Sequence, residues 1–232
     1  IGNSAFARTA LENVDLENVE QIGGGAFGLC KKLESVHLGN NFKKINGDTF
    51  SECSSLTNIN LKNVTKIGRD SFSRATALEN VDLENVERID NDAFLLCEKL
   101  TSVTLGSKLE KINRGAFSRC SSLTNINLES VTSIGDFAFT YCTGLQKIDL
   151  RNVKTLGEGV FGGCTGLQTV DLRNVETLGK DVFGDCKSLN KVILPRENAK
   201  EIQDAIVDQT GKKAGNGKND TIKFINYSDI AK

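Results

Sequence analysis

The chain has 232 residues, with 29 Lys and Arg against 30 Asp and Glu and a formal net charge of −1. That balance excludes a polybasic nucleic-acid tail or membrane-surface patch, and 38% hydrophobic with 25% charged residues suits a packed chain rather than a disordered one. No apolar run approaches the roughly 18 residues of a membrane span, so no transmembrane segment is expected, and the single histidine, His37, leaves few parts for catalysis. Because the sequence contains no Met, Ile1 is not expected to be the native start, and the protein is expected to continue upstream.

Phenylalanine returns at positions 6, 27, 50, 72, 94, 117, 139, 161 and 183. From Phe27 onward a Leu follows six residues later, Val or Ile three further on, and usually Leu two beyond that, as in Leu123, Ile126 and Leu128. The unit reads F-x-x-C-x-x-L-x-x-[VI]-x-L and then usually x-N-V-x-x-[IL]-G-x-x-[AS]. A longer period lies above it. Residues 9–20 recur unchanged at 76–87, and 53–61 at 120–128, both displaced by 67, so the array grew by duplicating three units at a time.

In chain order, residues 1–6 form the second half of a unit whose strand is missing, leaving an edge expected to fray. In each later unit the L-x-x-[VI]-x-L segment ends in alternation, which predicts a short strand with the β-branched residue and last Leu on one side. Its neighbour lies one unit away, a connection that gives parallel pairing. Four residues before each Phe stands Gly, Asn or Asp, as in Gly23, Asn46, Gly68 and Asp90. These residues tolerate a left-handed backbone, so positive φ is expected there in every unit. Two residues before Phe, the side chains of Ser4, Asp48, Asp70, Asp92 and Asp181, with Gly25, Gly115 and Gly159, suit a helix N-cap. Phe and Cys, three apart, then face inward from one short helical turn. A single unit cannot bury its own apolar face, so the units must stack, to a length of about 40 Å at the strand spacing of ~4.8 Å.

After Pro195 the period stops. Ala199, Ile202, Ala205 and Ile206 mark one face of a helix over 197–209, with Gly211 as its stop. Residues 212–220 read as a polar loop, and 221–227 have strand composition and are expected to cover the last rung. The division is therefore a repeat array over 1–195 and a capping segment over 196–232.

The run Ile134-Gly135-Asp136-Phe137-Ala138-Phe139-Thr140-Tyr141-Cys142, following L-x-x-[VI]-x-L, resembles the BspA-like leucine-rich repeats over residues 1–195. The resemblance implies an α/β repeat solenoid: a right-handed leucine-rich coil with a parallel sheet and short helical turns. Family members commonly place Pro after the last Leu of the strand. Here only Pro195 stands there, and most units carry charged-Asn-Val instead, as in Arg151-Asn152-Val153. The resemblance further implies a secreted or surface-anchored bacterial or protist protein, often adhesive, whose repeat residues are scaffold and carry over no binding residue.

Seven cysteines, each three residues after a repeat Phe, read as a buried reduced column. Their odd number, the lack of C-x-x-C, and Thr9 and Ala75 in the same phase argue against zinc or disulfides. Asn18, Asn63, Asn85, Asn152 and Asn174, at a turn, are expected to satisfy backbone groups of neighbouring rungs. The sheet face displays one column of Asp15, His37, Asn60, Asp82, Thr104, Asn127, Asp149, Asp171 and Ile193, and beside it Asn13 to Lys191 in the same register. It lacks the rings on which a sugar would stack. The candidate contact residues are Asp82, Asn125, Asn127, Lys147, Asp149, Arg151, Asp171 and Arg173, the last two Asp-Arg pairs being the most distinctive. A self-neutralising charge ladder is the competing reading. Asp15, Asp82 and Asp149 lie three rungs apart, too far for calcium, so neither metal nor cofactor is expected. His37 has no matched Cys, which argues against an enzyme. The expectation is a non-catalytic binding or adhesion module of a larger cell-surface or secreted protein, with a host or cell-surface protein as partner and no nucleic acid. The alternative is a structural spacer.

Overall fold

In the computed structural model, which describes residues 1–217 and 220–230, the alternating segments form a column of parallel strands on one face. In Ser35–Leu38, for example, Val36 and Leu38 are buried while Ser35 and His37 are exposed. The column is divided into three panels. Asn13–Leu16, Ser35–Leu38 and Asn58–Ile59 pair in the first, and Asn80–Leu83, Ser102–Leu105 and Asn125–Ile126 in the second. The third joins Lys147–Asp149, Thr169–Asp171 and Lys191–Leu194. The ladder opens after Asn58–Ile59 and after Asn125–Ile126, the same point in two copies of the 67-residue duplication.

A second parallel column links seven two-residue strands, from Lys44–Ile45 to Thr177–Leu178, without a break. The first residue of each faces out or lies half-buried, and the Ile or Leu turns inward, as in Lys44–Ile45 and Lys111–Ile112. Nothing in the sequence announced this column, because two residues are too few to register as alternation.

The positive φ expected four residues before Phe falls instead two before it and again two after it, in every unit. Around Phe94 the two residues are Asp92 (φ 57) and Leu96 (φ 60). The glycine at the earlier position has a different cause: a Cβ on Gly68 would stand 2.6 Å from the Gly47 nitrogen, so the preceding rung passes too close for a side chain. Asn46 and Asn113 fit the same position by turning their amides onto the Ile22 and Ile89 carbonyls, both at 2.6 Å. Between the left-handed residues the N–H groups alternate in direction. Gly28 donates to Gly25 and Cys30 to Phe27, at 2.9 and 3.2 Å, closing tight turns within the rung. Phe27 donates to Thr49 and Leu29 to Ser51, at 2.9 and 2.7 Å, reaching the next rung. The turn has helix-like hydrogen bonds, but a left-handed residue at each end stops it after one turn. The residues expected as N-caps are the left-handed ones.

The nine repeat phenyl rings stack in one file, with neighbouring centroids 5.2–5.8 Å apart and planes within 17° of parallel. All but Phe6 are fully buried. Each cysteine is free and buried, and its thiol donates to the carbonyl of a Phe in the preceding rung, as in Cys53 to Phe27 and Cys164 to Phe139 at 3.2 and 3.1 Å. The second lone pair of that oxygen is thereby satisfied. Among the described residues, one side-chain polar atom in the core is left out. Ser71 occupies the position held elsewhere by Ala26, Ala93, Ala116 and Ala138, and its buried hydroxyl finds no partner.

The helix Ala199–Thr210 buries Ile202 and Ile206 and ends at Gly211 (φ 66). It starts two residues later than expected because Asn198 is itself left-handed, with φ 57. The strand Thr221–Asn226 adds in parallel to Lys191–Leu194, with Phe224 opposite Val192, and gives way at Tyr227 to a short helix, Tyr227–Ile230. Where a further rung would continue the Phe-corner ladder, the Gln209 side chain stands in. Its oxygen accepts from the Phe183 N–H at 3.3 Å and its amide donates to the Gly179 carbonyl at 3.0 Å. The Lys212 ammonium, buried beside it, donates to the Leu189 carbonyl at 3.2 Å.

Candidate functional site

Each opening in the face ladder is a hollow. The first, of about 570 Å³, lies between residues 58–61 and 80–82. The second, of about 390 Å³, has residues 127–129 on one side and Asp149, Arg151 and Asn152 on the other, with Arg173 and Tyr227 at its end. Of the expected contact residues, Asn127, Asp149, Arg151 and Arg173 meet at the second hollow, and Asp82 lines the first. Asn125 and Lys147 stand exposed in the neighbouring column, opposite Ser102 and Thr169. Asp171 lines neither hollow and instead holds Arg173.

The Asp and Asn of the face column have a structural cause. The Asp15, Asn60, Asp82, Asn127 and Asp149 side chains each accept the backbone N–H two residues on, at 3.0 Å, turning the chain as it leaves the strand. In the third panel an Arg stands at that second residue and adds a forked contact. The Arg151 Nε donates to both Asp149 oxygens at 2.9 and 2.7 Å, and the Arg173 Nε to both Asp171 oxygens at 3.0 and 3.1 Å. Hydrogen bonding from Arg151 holds the Asp149 carboxyl below its usual range and raises the Arg151 guanidinium in return. Asp171 raises Arg173 in the same way. Both pairs are thereby held within their own rungs. Arg151 is 59% exposed, whereas Arg173 is 25% exposed.

The aromatic missing from the face strands comes from the capping segment. The Tyr227 ring is in contact with two guanidiniums, those of Arg173 and Arg196 at 4.8 and 4.9 Å from its centre. No local pattern points to Tyr227; only the pairing of Thr221–Asn226 beside the last rung carries it to the face.

The remaining motifs are structural. Asn85, Asn152 and Asn174 donate to the Lys62, Glu129 and Arg151 carbonyls of the preceding rung at 2.9, 2.7 and 2.5 Å, as expected, whereas Asn63 in the same column donates instead to the Asn40 side chain at 3.1 Å. Burial pushes the Cys53 and Cys186 thiols up to about 12, and those of Cys120 and Cys142 well above their usual value, so they stay protonated and poorly nucleophilic. One cluster was missed. Asp15, Glu17 and His37 each bring a potential ligand atom within 4.8 Å of the others. The signal for it was present, since Asp15 and His37 follow one another in the face column.

A family model described as the BspA type leucine rich repeat region, in 6 copies, matches residues 1–124 and 87–212. The chain belongs to the BspA-type leucine-rich repeat family. Among solved structures, this BspA-type chain is similar to the T. pallidum leucine rich repeat protein, at 29% identity over 72% of this chain and 70% of that one, with a TM-score of 0.56. It is similar also to a leucine-rich repeat protein from Bacteroides ovatus, at 25% identity over 97% and 68% of the two chains and a TM-score of 0.55. A leucine rich cell surface protein from Faecalibacterium prausnitzii shares the fold, at 24% identity over 84% and 70% and a TM-score of 0.61. No curated protein shows significant similarity. The BspA-type array is a repeat scaffold, and among its described residues no helix is long and apolar enough to cross a membrane.

Proposed function

We propose that the chain is a non-catalytic binding module of a secreted or cell-surface protein, and that a host or cell-surface protein docks on the third panel across the second hollow. The reading rests on Arg151, Arg173 and Tyr227, which converge on that hollow. Arg and Tyr are the residues that dominate protein interfaces energetically. Each guanidinium is already held by the carboxylate of its own rung, so little side-chain freedom remains to be lost on docking. The family's resemblance to secreted and surface-anchored proteins supports the location.

The test is binding of the full chain to a panel of host extracellular and cell-surface proteins. Saturable binding is expected, weakened about tenfold, equivalent to ~1.4 kcal/mol, by Arg173→Ala or Tyr227→Ala and unchanged by Lys44→Ala on the second column. A panel without a saturable binder, or a binder indifferent to both face changes, refutes the reading. One observation favours the spacer instead: each Asp neutralises the Arg of its own rung, so the two Asp-Arg pairs present little net charge to a partner.

A further inference from the structure

We propose that Asp15, Glu17 and His37 form a binding site for a divalent first-row transition ion, with Zn²⁺ as its representative. Asp15 lies directly opposite His37 in the parallel pairing of Asn13–Leu16 with Ser35–Leu38, and the three ligand atoms lie within 4.8 Å of one another. Donors sharing a tetrahedral Zn²⁺ at ~2.0–2.1 Å stand about 3.3 Å apart, so rotation of exposed side chains closes the remaining distance.

The backbone fixes one of the three donors and seats the rungs that carry the other two. Asp15 Oδ1 accepts the Glu17 N–H at 3.0 Å, which leaves Oδ2 to face outward. Gly39, two residues after His37, lies so close to Glu17 that a Cβ on it would stand 2.2 Å from the Glu17 carbonyl oxygen. The His37 rung is therefore seated against the Glu17 backbone. Among the described residues no Lys or Arg pairs with Asp15 or Glu17, whereas Asp149 and Asp171, in the same face column, each carry an Arg. Two carboxylates beside an imidazole, uncompensated by a cation, suit a divalent ion. The imidazole selects the first-row transition metals over Ca²⁺ and Mg²⁺, which take oxygen donors. Three protein donors leave a coordination position for water or for a group on a partner.

The duplication supplies an internal control. Sixty-seven residues later Asp82 and Glu84 repeat Asp15 and Glu17, with the same N–H contact at 3.0 Å, and Gly106 repeats Gly39 against Glu84. The residue opposite Asp82 is Thr104. The second copy thus has every part of the site except the imidazole.

Titration of Zn²⁺ into the full chain by calorimetry should give one saturable site, and His37→Ala should weaken it by about tenfold or more. Thr104 is exposed on its strand, so Thr104→His should fold normally and bind a second ion. Because the chain has one histidine, its imidazole proton resonances report directly, and Co²⁺ should shift them. Absence of saturable uptake below about 1 mM Zn²⁺, uptake unaffected by His37→Ala, or a Thr104→His chain still binding a single ion each overturns the proposal.

Discussion

Replacing Gln209 by Ala removes the side chain that completes the Phe-corner ladder at the C-terminal end. Inside the array this ladder is made by backbone alone: the Phe161 N–H, for example, donates to the Val182 carbonyl at 2.9 Å. At the last rung the same role falls to one amide side chain, which satisfies the Phe183 N–H and the Gly179 carbonyl. A backbone group left without its partner costs ~1–3 kcal/mol when water is excluded. These contacts are part-buried, so about 2 kcal/mol for the two together is expected, taking the lower end of that range. Gln209→Glu keeps the acceptor for Phe183 but sets a carboxylate against the Gly179 oxygen, and should lose about half as much. Amide hydrogen exchange reads the effect locally. The Phe183 amide should exchange about thirtyfold faster in Gln209→Ala, the factor corresponding to ~2 kcal/mol, while Phe161 stays protected. Unchanged protection at Phe183 would refute the idea that a side chain replaces a rung.

Ser71→Ala removes a buried hydroxyl that has no partner and installs the residue already used at four buried sister positions, so it should stabilise by about 1 kcal/mol. A higher urea midpoint at unchanged slope is the expected result, and a lower midpoint contradicts it. Asp92→Asn should also stabilise at neutral pH. Burial, then the neighbouring Asp70, raise the Asp92 carboxyl above its usual value, against smaller opposing effects of Arg69 and Arg114. The ionised form is therefore disfavoured in the folded state. That penalty is complete above the raised value and vanishes as pH falls below the ordinary Asp range. Asn tolerates the left-handed backbone that Asp92 adopts at φ 57. Because the carboxyl is partly exposed and screened by solvent, the gain at pH 7 is expected to be at most about 0.5 kcal/mol, with the two proteins converging near pH 3; a gain that persists in acid would show that charge is not its cause.

The stacking of the rungs was legible because it depends on burial, and burial leaves a period in the sequence. The Phe file, the parallel pairing and the Gly211 stop all follow from it. What escaped depends on backbone contacts between rungs. Gly68 and its equivalents were read as conformational when their role is clearance. The true left-handed positions two residues after Phe are occupied by Arg74, Leu96 and Tyr141 among others, side chains that give no hint of positive φ. At the candidate site, the Asp and Arg residues could be read from their spacing. Their pairing within one rung, rather than between rungs, came from the turn that carries the chain out of the strand. Tyr227 and the hollow it borders needed the packing of the capping segment, which no local pattern encodes.

The breaks in the face ladder give the duplication a geometric meaning. Copying three rungs transposes the interruption along with the strands, so the break recurs about 14 Å further along the axis, at ~4.8 Å per rung. Lengthening such an array adds whole tiles, each bringing its own break at a constant pitch. Substitutions such as Glu17 and Glu84 giving way to Arg151 then let equivalent positions of successive tiles differ in charge while their spacing is preserved.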